Sequence, residues 1–87
     1  MRILSKVEAE AVTKYYSELL IGKPIFKPGN SNPYPITYLE ATKLKENEYE
    51  IICYSKYLGN VWHRHLDEVI MDTDVLPLKD LLSSLNL

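Results

Sequence analysis

Hydrophobic and polar positions follow two rhythms along the chain. Between Lys6 and Ile21, apolar side chains recur at Val7, Ala11, Val12, Tyr15, Tyr16, Leu19 and Leu20. That spacing matches one face of an α-helix. Ser5-Lys6-Val7-Glu8 precedes it as a capping box, with the Ser5 hydroxyl on the third helical amide and Glu8 reaching back. Gly22 followed by Lys23-Pro24 supplies the stop, because glycine permits a left-handed cap and proline cannot continue the helix. The pattern predicts a helix over about Lys6–Ile21.

The rhythm then shortens to a period of two. Tyr49-Glu50-Ile51-Ile52-Cys53-Tyr54-Ser55-Lys56-Tyr57-Leu58 is rich in β-branched and aromatic residues and predicts the principal strand. Gly59-Asn60 suits a two-residue hairpin turn with glycine first, returning as Val61-Trp62-His63-Arg64-His65-Leu66. Upstream, the segment from Ile36 to Lys45 alternates, and Glu46-Asn47-Glu48 makes a polar turn. Val69-Ile70-Met71 is a candidate fourth strand. Between helix and strands, Lys23–Pro35 holds four of the five prolines and a Gly29-Asn30 pair. Pro24-Ile25-Phe26-Lys27 is read as a short edge strand. Asn32-Pro33-Tyr34-Pro35 is read as an extended or turn-like loop that presents Tyr34. At the end, Leu78, Leu81, Leu82 and Leu85 fall on one helical face behind Pro77, a position that proline tolerates.

These elements define an α+β fold: an N-terminal helix, a three- to four-stranded antiparallel meander and a short C-terminal helix. The curled meander behind a long loop is similar in pattern to a small SH3-like barrel, a likeness that no residue motif carries. With 87 residues, the chain is expected to form a single domain with one core. Its 46% hydrophobic and 25% charged residues are ordinary globular values, which makes wholesale disorder a poor description. Cys53 is the only cysteine, so no intrachain disulfide forms. No apolar run reaches the length of a signal peptide core or a membrane span. A reducing, cytoplasmic location is the expectation that follows.

Net charge is −2, with six basic and four acidic residues between Lys23 and His65 and five acidic residues against Lys79 from Leu66 onward. A mildly basic middle beside an acidic end falls short of the footprint of a nucleic-acid-binding domain.

A turn at Gly59-Asn60 places Lys56 opposite His63 and Tyr54 opposite His65. Strand alternation then sorts the side chains. One face carries Ile51, Cys53, Ser55, Tyr57, Trp62, Arg64 and Leu66 and reads as core. The other carries Glu50, Ile52, Tyr54, Lys56, Leu58, Val61, His63, His65 and Asp67 and reads as partly solvated. His63, His65 and Asp67 are the residue types of an open zinc site. Lys56 opposite His63 would repel a cation, and Cys53 falls on the other face, so surface histidines are the simpler reading and no metal or other cofactor is assigned. Cys53 among isoleucines reads as a small buried hydrophobe rather than a nucleophile. Glu46, Glu48 and Glu50 read as a solvated turn and strand end. Asp72-Thr73-Asp74 begins like a calcium loop, but Pro77 stands where glycine is required. The three glycines are too far apart for a phosphate cradle. No catalytic residue is assigned.

Two binding readings lead, with a metal-dependent enzyme built on His63, His65 and Asp67 as a third and lesser alternative. Seven tyrosines exceed what one small core needs, and tyrosine is enriched at interfaces. This points to a non-enzymatic protein-binding or regulatory module, with a protein partner or a homodimer and no membrane. Its candidate residues are Tyr34, Tyr54, Lys56, Tyr57, His63 and His65. The alternative is nucleic-acid binding through Tyr38, Tyr54 and Tyr57 with Lys43, Lys56, Arg64 and the histidines.

Overall fold

The computed structural model describes residues 3–27 and 30–85. Eight elements follow in order: α1 (Lys6–Leu20), β1 (Pro24–Lys27), β2 (Asn30–Pro35), β3 (Tyr38–Lys45), β4 (Glu48–Tyr57), β5 (Asn60–His65), α2 (Leu66–Met71) and α3 (Leu78–Leu85). The α+β class is as the sequence predicts. The strands divide into a β1–β2 ribbon and an antiparallel β3-β4-β5 sheet. Val69–Met71, a candidate fourth strand, lies instead in α2. Val69 and Ile70 are both buried there, as adjacent positions on one side of a helix can be.

Helix α1 begins at the expected capping box: the Glu8 amide donates to Ser5 Oγ at 3.2 Å, and the Ser5 amide donates to Glu8 Oε1 at 2.9 Å. The Lys6 amide donates to Asn47 Oδ1, so the β3–β4 turn satisfies another orphan donor of the helix. The stripe that α1 buries is narrower than the sequence suggests. Ala9, Val12, Tyr16 and Leu20 are buried, whereas Val7 and Leu19 lie at the exposed margin. Gly22, with φ of 99°, then turns the chain into the ribbon.

Asn32-Pro33-Tyr34-Pro35, read from sequence as a loop, belongs to β2, paired with β1 from Pro24↔Pro35 to Lys27↔Asn30. Prolines exclude a central strand but not a two-stranded edge ribbon, and this distinction reverses the reading. Gly29 of the Gly29-Asn30 pair lies outside the described residues. Hydrogen bonds between Gly22 and Ile36, and between Ile36 and Lys23, extend the ribbon. Thr37 joins it to the sheet: its amide donates to the Tyr54 carbonyl at 2.8 Å, and its hydroxyl oxygen accepts from the Lys56 amide at 3.1 Å.

In the first hairpin Leu39 pairs with Cys53 and Ala41 with Ile51, which sets both on the core side. A bulge at Leu44 and a turn at Glu46-Asn47 fix that register. The second hairpin turns at Leu58-Gly59 rather than at Gly59-Asn60. Leu58 (φ 50°) and Gly59 (φ 81°) are both left-handed, as a primed two-residue turn requires. The register therefore slips by two from the sequence expectation. His63 faces Tyr54, His65 faces Ile52, and Lys56 faces Val61 rather than His63. A slip of two preserves the faces.

One hydrophobic cluster joins α1, both sheets, α2 and α3. From the β3-β4-β5 sheet its members are Leu39, Ala41, Tyr49, Ile51 and Cys53, all from a single face. Leu78 and Leu81 bury the apolar side of α3, with Leu82 and Leu85 partly buried beside them. Arg64 lies on the same face, 5% exposed, with Nη1 donating to Asp72 Oδ2 and Nε 3.6 Å from Glu68 Oε2. No described helix is long and apolar enough to cross a membrane.

Candidate functional site on the second face of the sheet

Because every sheet residue in the cluster lies on one face, the other face is left without a covering layer among the described residues. Its side chains stand in cross-strand rows. Lys56 and Val61 form the row nearest the β4–β5 turn, and Tyr38, Tyr54 and His63 the next. Glu40, Ile52 and His65 follow, and then Thr42 and Glu50. Tyr38, Lys56, Val61, His63 and Glu40 are exposed, with Val61 at 51% and Tyr38 at 39%.

The central row is aromatic from edge to edge. Tyr38 and Tyr54 are stacked, with ring centroids 4.8 Å apart and planes 9° from parallel. The His63 ring is tilted beside Tyr54 at 6.1 Å. Directly paired cross-strand residues are close enough for such contacts, so register produces this row. Burial, with the Glu40 carboxylate and Tyr38 adding, holds the Tyr54 phenol above its ordinary pKa.

The following row contains a charge relationship that the sequence does not announce. Glu50, expected at a solvated strand end, is only 9% exposed. Its Oε2 lies 3.4 Å from His65 Nδ1. The contact follows from the register: pairing His65 with Ile52 makes Glu50 its diagonal neighbour. A turn at Gly59-Asn60 would have carried His65 past it.

The candidate residues divide between the two faces. Tyr54, Lys56, His63 and His65 share the open face, joined by Tyr38. Tyr34 and Tyr57 do not. Tyr34 is half-buried and stacks on both Tyr57 (4.6 Å) and Trp62 (4.7 Å) on the covered side, binding the ribbon to the sheet. Arg64 is also on that side and engaged with acids, and Lys43 pairs with Glu46 at 3.1 Å. The nucleic-acid set is thereby split.

Neither Cys53 nor Asp67 joins His63 and His65 on the open face of the sheet. Cys53 is fully buried, and burial pushes its thiol up to about 12, with Arg64 opposing weakly. Asp67 lies in the first turn of α2, off the strand that carries His63 and His65. Among the described residues no group of three or more His, Cys, Asp or Glu is placed to hold a metal ion. A surface cleft of about 600 Å³ lies elsewhere, between the end of α1, the start of β1 and the 72–75 segment. Glu18, Leu19, Lys23 and Asp74 line it, and none of the candidate residues does.

The fold and site define a small α+β domain that exposes one face of an antiparallel sheet. Comparison with protein-family models, with curated proteins and with solved structures finds no match to this chain, so no family is assigned.

Proposed function

We propose that this chain is a non-enzymatic protein-binding module whose contact surface is the open face of the β3-β4-β5 sheet. The observation that carries this reading is the Tyr38–Tyr54–His63 row, an aromatic ridge with no covering layer among the described residues. Tyrosine and histidine offer an apolar body with a polar tip, a composition typical of interface centres. Val61 and Ile52 flank the ridge with apolar area, while Lys56 and Glu40 place opposite charges on either side of it. A partner surface with an apolar strip bordered by one acid and one base fits this layout.

Nucleic-acid binding retains Tyr38, Tyr54, Lys56 and His63 but loses Tyr57, Arg64 and Lys43 to the covered face or to ion pairs. The chain's net charge of −2 also works against phosphate.

The test compares partners captured by the wild-type chain and by a Tyr38→Ser, His63→Ser double variant, with and without nuclease. A protein that survives nuclease and is lost from the variant supports the proposal. Equal capture by the folded variant overturns it, and partners lost only on nuclease treatment favour nucleic acid.

A further inference from the structure

Strand edges are templates for further pairing, and proteins guard them with prolines, charges and bulges. In this chain the guarding is unequal. β1 opens with Pro24, and β2 contains Pro33 and Pro35. β3 carries exposed Glu40, Lys43 and Lys45 and the bulge at Leu44. β4 is internal, with β5 beside it and Leu4 continuing that side by pairing with Tyr49.

β5 has none of these guards. Asn60–His65 contains no proline and no bulge. Its only formally charged side chain, Arg64, is turned inward to Asp72 and Glu68. The Tyr57↔Asn60 pair closes a two-residue turn, so the hydrogen-bonded pairs fall at Asn60, Trp62 and Arg64. The backbone groups of Val61 and His63 and the amide of His65 therefore point away from β4, while the His65 carbonyl, at the N-cap of α2, belongs to the start of that helix. Among the described residues no segment outside the sheet takes up those amides.

We propose that β5 pairs antiparallel with β5 of a second copy of this chain, about a twofold axis at His63. This register sets Val61 opposite His65 of the second copy and Trp62 opposite its Arg64. No two formally charged side chains of like sign then face each other, because the guanidinium of Arg64 stays turned inward to Asp72 and Glu68 in each copy. The same operation applied at β3 would set Lys43 and Lys45 against residues of a strand already interrupted by its bulge. Pairing also continues the open face, because each Tyr38–Tyr54–His63 row meets its counterpart at the axis. The contact uses backbone groups of β5 rather than side chains of the open face, so it goes beyond the partner-binding reading and stands without it.

The experiment is sedimentation equilibrium of the full chain from micromolar to millimolar concentration, with amide exchange followed by NMR. The expected result is a weight-average mass rising from 10.1 kDa towards twice that value. Amides of Val61, His63 and His65 gain protection in parallel. His63→Lys places two ammonium groups at the axis and returns the monomer, whereas Tyr38→Ser leaves association intact. A monomer at every concentration overturns the proposal. So does a dimer that tolerates His63→Lys, lacks protection at those amides, or dissolves with Tyr38→Ser.

Discussion

The ring of Tyr34 lies 4.7 Å from that of Trp62, with planes 24° apart, and it stacks on Tyr57 as well. Tyr34 comes from the proline-rich ribbon and the other two from the β4–β5 hairpin, so this three-ring stack holds the two sheets together. Tyr34→Ala should therefore act on stability rather than on partner binding alone. Each aromatic contact is worth about 0.5–1.5 kcal/mol beyond area burial, so a loss of roughly 1–3 kcal/mol is expected. Trp62 is the only tryptophan, and its emission should shift to the red in Tyr34→Ala as the indole gains water. Unchanged emission and an unchanged urea midpoint would remove the stack from this account.

The same stack explains why the β4–β5 turn sits where it does. With the turn at Leu58-Gly59, Trp62 lies beside the small Ser55, and Tyr34 reaches both Tyr57 and Trp62. The cost is a leucine at φ of 50°, which local preference disfavours by about 1–2 kcal/mol. Two aromatic contacts are enough to offset it. Leu58 is 81% exposed, so replacing it forfeits little packing. Leu58→Asn should raise stability by about 0.5–1 kcal/mol, or about 3–6 °C in Tm for a domain of this size. A lower Tm would mean that the Leu58 side chain makes a contact that outweighs its backbone strain.

Much of the architecture follows from local signals. Ser5 and Glu8 announce the start of α1, Gly22 its end, and the leucine spacing predicts α3. Strand alternation sorted Cys53, Ser55, Trp62 and Arg64 correctly from Tyr54, Lys56, His63 and His65, and it did so despite a wrong turn, because a slip of two leaves the faces unchanged. What local signals did not carry were outcomes decided by tertiary contacts. The Leu58-Gly59 turn runs against leucine's own preference. The Pro33-Tyr34-Pro35 segment becomes a strand through the partner it finds in β1. The Glu50–His65 contact exists only in the true register. Val69 and Ile70 show a further limit, since three apolar residues in a row fit a strand or a short helix equally well.

Alkaline pH should unfold this protein through two buried groups. Cys53 is fully buried, and its thiol is raised to about 12, chiefly by desolvation. Tyr16, also fully buried, donates its hydroxyl to the Leu76 carbonyl, and burial with Tyr15 and Asp80 raises it to about 12. In both cases the folded state holds its proton more tightly than the unfolded chain does. The unfolded state therefore binds fewer protons above the ordinary thiol and phenol values, and stability falls as pH rises through that window. It is unaffected by these groups below about pH 8, and the loss continues towards about pH 12. Each group can contribute a slope of up to about 1.4 kcal/mol per pH unit. Urea titrations from about pH 8 to about pH 11 should show a steepening decline. In Cys53→Ala the decline should start later, because of the raised groups only the phenols of Tyr16 and Tyr54 remain to titrate, although the variant begins from lower stability through its cavity. Thiol labelling of the wild type should be slow at neutral pH and quicken in step with the unfolded fraction. Rapid labelling of Cys53 under conditions where the fold is intact would show that the thiol is reached without unfolding, leaving the alkaline decline to the phenols of Tyr16 and Tyr54.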